Sequence, residues 1–322
     1  MADWNWRRKE GWHPGWYLVA GALFALGLAV GMHSFQLPRG YYKYGPDPLA
    51  IPGGCDELKV AVQEYIRTKP GTFGIYFWDL KTGAHFGINE TVALPAASSI
   101  KVVVALYLYN LVAEGKLSLD ERMAYDPELD YEGGAGVIQF TASPGQTFTL
   151  RELASLMIRV SDNIAWHMLT RRLGKENLKA FMRSLGGKTV YPDDKNFSTA
   201  EDLSTYMRAA LDFAERNPDV GGLLIDDLTH SIYKDGLPAL LPEDIRVAHK
   251  VGALPAVAND TGIVFLPNRP YILTVMTKDV GASENPGFQA IGEISRIVYD
   301  YQTRKGQAGG SGPYGPGQGK GL

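Results

Sequence analysis

A single cysteine, Cys55, stands in a chain of 322 residues, so no disulfide can form within it and the fold must be held by a packed core. Gly54 before it raises the idea of a lipidated thiol, but Ile51-Pro52-Gly53-Gly54 offers no apolar run, and a buried thiol is expected. An excess of one charge is missing too. The 32 Lys and Arg face 35 Asp and Glu, and the formal net charge of -3 removes the electrostatic case for nucleic acid as a partner. No His, Cys or Glu residues fall at metal-ligand spacing, and neither a metal nor a cofactor is expected. His167 and His249 suggest a Ser-His-Asp triad, but the chain has no Gly-x-Ser-x-Gly elbow. Gly187-Lys188-Thr189 ends like a phosphate-binding loop, yet Met182 stands where that loop requires glycine. There are no internal repeats.

What is present, 45% hydrophobic and 21% charged residues, fits a globular protein. With the ends set aside, about 250 residues remain, enough for one large domain or two intimate subdomains. A short tail, residues 1–15, carries Arg7-Arg8-Lys9. It precedes an apolar stretch from Trp16 to Phe35 that as a helix rises about 30 Å, the thickness of a bilayer's hydrocarbon core. Trp12, Trp16 and Tyr17 are placed to sit at the interface. Gly31-Met32-His33-Ser34-Phe35 lacks a small-x-small cleavage signature, so an uncleaved signal anchor is expected over a cleaved signal peptide. That predicts a single-pass cell-membrane protein with the lipid bilayer as a partner and the body outside the cytoplasm. Residues 36–54, rich in Pro and Gly, read as a spacer, residues 55–305 as the folded domain, and the Gly-rich 306–322 as a disordered tail.

The folded part opens with helical periodicity over Asp56 to Thr68 and a hairpin of two strands, Thr72–Leu80 and Ala84–Ile88, joined at Lys81-Thr82-Gly83. A long helical middle covers roughly 98–230. Thr149 with Glu152, and Ser198 with Glu201, read as capping boxes. Strands return at about 246–251, 261–266 and 271–277, before a last helix from Pro286 to Arg304. Strands from both chain ends with helices between them predict an α+β arrangement: one antiparallel sheet packed by helices, with an all-helical lobe inserted. The cleft between sheet and lobe is the natural place for a site.

Ser98-Ser99-Ile100-Lys101 places a hydroxyl and an amine one helical turn apart at an expected helix start. A serine beside an amine that can take its proton is the minimum equipment for nucleophilic acyl transfer. Ser161-Asp162-Asn163 and His249-Lys250-Val251-Gly252 follow in order. An ordinary lysine is neutral about once in 2,500 molecules at pH 7, a cost of roughly 4.6 kcal/mol, so Lys101 can serve as a base only if burial and the charge of Lys250 push its pKa down. Tyr131 to Gly136 reads equally as a rim of the cleft or as a plain glycine turn.

These three motifs resemble those of the penicillin-recognising serine acyl-transferases, and the class A β-lactamases among them. The likeness covers about Asp56 to Gln302. It implies Ser98 as nucleophile with Lys101 as its partner and Ser161 as the proton relay to the leaving nitrogen. Lys250 would sit on the first returning strand, with Asn163, Gly252 and Ala253 at the substrate. The Ser98 and Ala253 N–H groups would form the oxyanion hole. Two departures matter. Val251 stands where the family carries a hydroxyl that helps bind the substrate carboxylate. The family's Glu-x-x-Leu-Asn loop, whose Glu activates the deacylating water, is replaced by the short stretch 185–196 without a Glu. Asp193 and Asp194 are the only acids there; either is a candidate substitute for that Glu, but a solvated turn is expected of them. The resemblance implies a membrane-anchored serine hydrolase opening β-lactams. Its alternatives are a D-Ala-D-Ala-type peptidase or esterase acting on cell-wall stem peptides, or a non-hydrolytic penicillin-binding sensor.

Overall fold

The computed structural model describes residues 54–308. The expected tail and anchor, nearly all of the spacer, and the Gly-rich stretch beyond 308 lie outside the described residues. Among those described, no helix is long and apolar enough to cross a membrane.

The first helix, α1 (Asp56–Arg67), has Asp56 and Glu57 in its first turn and Arg67 in its last, each sign matched to the helix dipole. It buries Leu58 and Val62. The hairpin β1 (Thr72–Asp79) and β2 (His85–Ile88) follows. The later strands are β3 (Val247–Leu254), β4 (Val257–Val264) and β5 (Tyr271–Lys278). They join the hairpin in one five-stranded sheet of order β2-β1-β5-β4-β3, antiparallel throughout. Strand alternation divides the sheet's two faces. Phe73, Ile75, Phe77, Leu273 and Val275 pack with α1 and with the last helix, α8 (Asn285–Ala308). Gly74 and Thr274 face the other way, toward Ala200 and Ser204. The expected sheet from both chain ends is therefore present, with β3 and β4 running past the expected bounds to a tight turn at Pro255-Ala256.

The intervening chain supplies α2 (Lys101–Ala113), α3 (Leu150–Arg159), α4 (Asn163–Leu173), α5 (Lys175–Ser184), α6 (Ala200–Arg216) and α7 (Pro218–Thr229). In α2 the β-branched run Val102-Val103-Val104 is a poor helix former, but all three are buried. Burial of each stabilises by about 1.5–3 kcal/mol, which outweighs a propensity cost of a few tenths. The Thr149 and Glu152 capping box is present on α3. The expected second box is not. Thr199, one residue later than Ser198, caps α6 by accepting the Asp202 N–H, while Glu201 pairs with Lys188. Ser198 instead pairs with Leu94 in a two-residue ladder.

Candidate active site

Ser98 lies in a 3-10 turn, Ala97–Ile100, and Lys101 is the first residue of α2, so the serine precedes the α-helix that the spacing placed it in. Ala97, just before it, is held at φ 48, a left-handed conformation costly for a residue with a Cβ. Ser99 turns its hydroxyl inward to the Ala96 carbonyl at 2.6 Å. The loop between α3 and α4 brings Ser161 up, also left-handed at φ 57. The Lys101 ammonium donates to the Ser161 carbonyl at 2.7 Å and to Asn163 Oδ1 at 2.7 Å, with Ser161 Oγ at 3.4 Å. From the sheet, Lys250 Nζ donates to the same Ser161 Oγ at 3.0 Å. Lys101 and Lys250, far apart in sequence, thus meet on the Ser161 hydroxyl, and Asn163 holds Lys101 there.

Asp162, between the two residues that meet Lys101, is buried and fastens this corner. One of its oxygens caps α4 through the Ala165 N–H, and the other accepts the N–H groups of Val137 and Ile138. That draws the glycine stretch 133–136 against the site, where the Gly133 carbonyl accepts from Asn163 Nδ2 at 3.0 Å. The stretch read equally as rim or turn lies beside Asn163. Gly136 is required there: its φ is 111, and a Cβ would lie 2.4 Å from the Asp162 carboxyl.

Gly252 lies against the Ser98 turn. A side-chain carbon at 252 would stand 2.7 Å from the Ala96 carbonyl oxygen and 3.0 Å from the Ser98 nitrogen. Ala253 follows, exposed at the end of β3. His249 is buried on the opposite side of the strand from Lys250, paired with Asp260 at 2.9 Å.

Burial sets the electrostatics. It pushes Lys101 down to about 8, against the pull of Asp162 and Glu132. Lys250 falls well below the ordinary lysine range through burial first and the neighbouring Lys101 charge second. Tyr233 adds an aromatic ring 5.9 Å from the Lys250 ammonium, a contact with no sequence signal. His167, expected to be packing, instead holds Glu132 at 2.6 Å. Among the described residues no cluster of acidic, His or Cys side chains could hold a metal.

The short stretch after α5 is closed by its own contacts. Buried Asp202 accepts the N–H groups of Lys188 and Thr189, which accounts for the misleading Gly-Lys-Thr. Asp194 is engaged by Lys179 at 2.6 Å and Lys175 at 3.2 Å. Asn196 ties the stretch to the Ser98 turn by donating to the Ala97 carbonyl.

Comparison with known proteins agrees with this frame. Beta-lactamase SME-1 of Serratia marcescens is 27% identical over 256 residues, covering 71% of this chain and 83% of that protein. A point mutant of PBP-A, solved as an acyl-enzyme complex with penicillin G, superposes with a TM-score of 0.71 at 29% identity, covering 77% of this chain and 97% of the other. An ancestral class A beta-lactamase gives 0.69 at 26% identity, covering 76% and 99%. A profile of the beta-lactamase enzyme family matches residues 57–302, the span that holds the sheet, the lobe and all three motifs. The chain belongs to the beta-lactamase enzyme family and is a serine hydrolase of that type.

Proposed function

We propose that this hydrolase opens β-lactam rings through an acyl-enzyme on Ser98. The observation that carries the reading is the meeting of two buried lysines on the Ser161 hydroxyl beside the nucleophile turn. Lys101, when neutral, takes the Ser98 proton as Oγ attacks the lactam carbonyl. The N–H groups of Ser98 and Ala253 receive the developing oxyanion, the largest single contribution in chemistry of this kind. As the C–N bond breaks, Ser161 passes its proton to the leaving nitrogen and is resupplied by the Lys250 ammonium. Asn163 holds Lys101, and Gly252 lets strand β3 run close beside the bound ring. In this reading the apolar span 16–35 anchors the enzyme to the cell membrane with the hydrolase domain outside the cytoplasm.

The closed, Glu-free stretch 185–196 favours a second reading, in which the acyl-enzyme is long-lived and the natural substrate is a D-Ala-D-Ala-type peptide end. Mixing the full chain with a fluorescent penicillin and a chromogenic cephalosporin separates the two. Sustained colour release supports the lactamase, and one equivalent of stable label supports the slower relative. Ser98→Ala is expected to abolish labelling, and covalent label persisting in that variant refutes the nucleophile.

A further inference from the structure

Hydrolysis of an ester on Ser98 needs a base for the attacking water, and the stretch that supplies one in class A relatives offers none here. Asp194 is held by two lysines and Asp202 by two backbone N–H groups. The glycine rim offers an alternative. Glu132 immediately precedes Gly133, whose carbonyl accepts from Asn163, and Asn163 in turn accepts from Lys101. His167 stands on α4 one turn beyond Asn163, on the same helix face. It binds Glu132 Oε2 at 2.6 Å, an orientation that leaves Oε1 for another partner. The pair is half-exposed, with 36% of the His167 side chain and 50% of the Glu132 side chain open to water. The carboxylate and Lys101 also feel one another. Glu132 draws the lysine pKa up, and Lys101 adds to the hold that His167 exerts on Glu132, which keeps its carboxyl below the usual range.

We propose that Glu132 is a further catalytic residue, the base for the deacylating water, with His167 as its positioning residue; this rests on the reading of Ser98 as the acylated nucleophile. Glu132 Oε1 takes a proton from water, and the water oxygen bonds to the ester carbonyl carbon. The Ser98 Oγ–C bond then breaks, Oγ takes a proton from the Lys101 ammonium, and the proton on Glu132 returns to the neutral Lys101. Ester and water become acid and free serine, with nothing left over.

The test follows label formation and label release separately in the full chain, using a fluorescent penicillin. A half-exposed surface contact contributes little to stability, so Glu132→Gln and His167→Asn are expected to fold and still to take label, Glu132→Gln no more slowly than wild type because loss of the carboxylate lets the Lys101 pKa fall further. Release is expected to slow about a hundredfold or more in Glu132→Gln, the range for loss of a general base. It is expected to slow about tenfold or more in His167→Asn, where the carboxylate is present but loose. Glu132→Asp restores part of the release. Equal release from wild type and Glu132→Gln overturns the base assignment alone. A wild-type chain that takes no label overturns the acyl-enzyme reading with it.

Discussion

At Lys101 the requirements of folding and of chemistry pull against each other. A buried ammonium is costly, and the chain meets that cost with two close oxygens, the Ser161 carbonyl and Asn163 Oδ1. Burial still pulls the pKa down to about 8. At pH 7 about a tenth of the molecules then carry the neutral lysine, against about one in 2,500 for an ordinary lysine. With the neutral form as the proposed base, the second-order rate of penicillin labelling is expected to rise nearly tenfold per pH unit below 8 and to level off above it. A midpoint near 10 in the measured profile means that the titrating group is an ordinary lysine and that burial does not lower Lys101. Ser98 and Lys101 were legible because a turn spacing lies within four residues. Glu132 and His167 were not, since two residues 35 positions apart with ordinary neighbours carry no local pattern.

Among the elements, strand β3 has the narrowest tolerance. Its Lys250 reaches into the lobe while His249 on the other face is locked to Asp260, so the strand has little freedom to rotate or slide. Gly252 passes the Ser98 turn with backbone atoms where a Cβ would stand. In Gly252→Ala the neighbours in the way are backbone, which cannot swing aside, so the strand itself must retreat from Ser98. Loss of one oxyanion donor typically costs about 10²- to 10³-fold in rate. Labelling by penicillin is expected to fall by that factor while the fold persists, which circular dichroism checks. Unchanged labelling means that the strand does not serve the oxyanion. The lysine and glycine of this motif were readable in sequence. The true cap of α6 was less so: Ser198 and Thr199 are equally good N-cap residues, and the choice falls to Thr199 because Ser198 is used in the ladder with Leu94.

For the molecule as a whole, alternating and β-branched strands at both ends of the domain were enough to predict one sheet closed by the two termini. The means by which the lobe is held together was not predictable, because it depends on charges far apart in sequence. Asp227, fully buried on α7, accepts from Arg151 at 2.5 Å, Arg159 at 2.7 Å, Ser155 at 3.1 Å and Tyr109 at 3.3 Å, so a single carboxylate binds α2, α3 and α7 together. Just beyond α3, the Val160 carbonyl accepts from Tyr233 and Ser161 begins the site. Breaking a buried pair from one side leaves the other charge uncompensated, at about 3–5 kcal/mol. For a domain of this size each kcal/mol shifts Tm by about 2–4 °C. Asp227→Ala is therefore expected to lower Tm by roughly 6–20 °C in a thermal scan. Below that temperature penicillin labelling should persist, because the network fastens the lobe without touching substrate. A Tm unchanged within about 2 °C would mean that apolar packing of α2 alone holds the lobe, with the carboxylate cluster contributing nothing net.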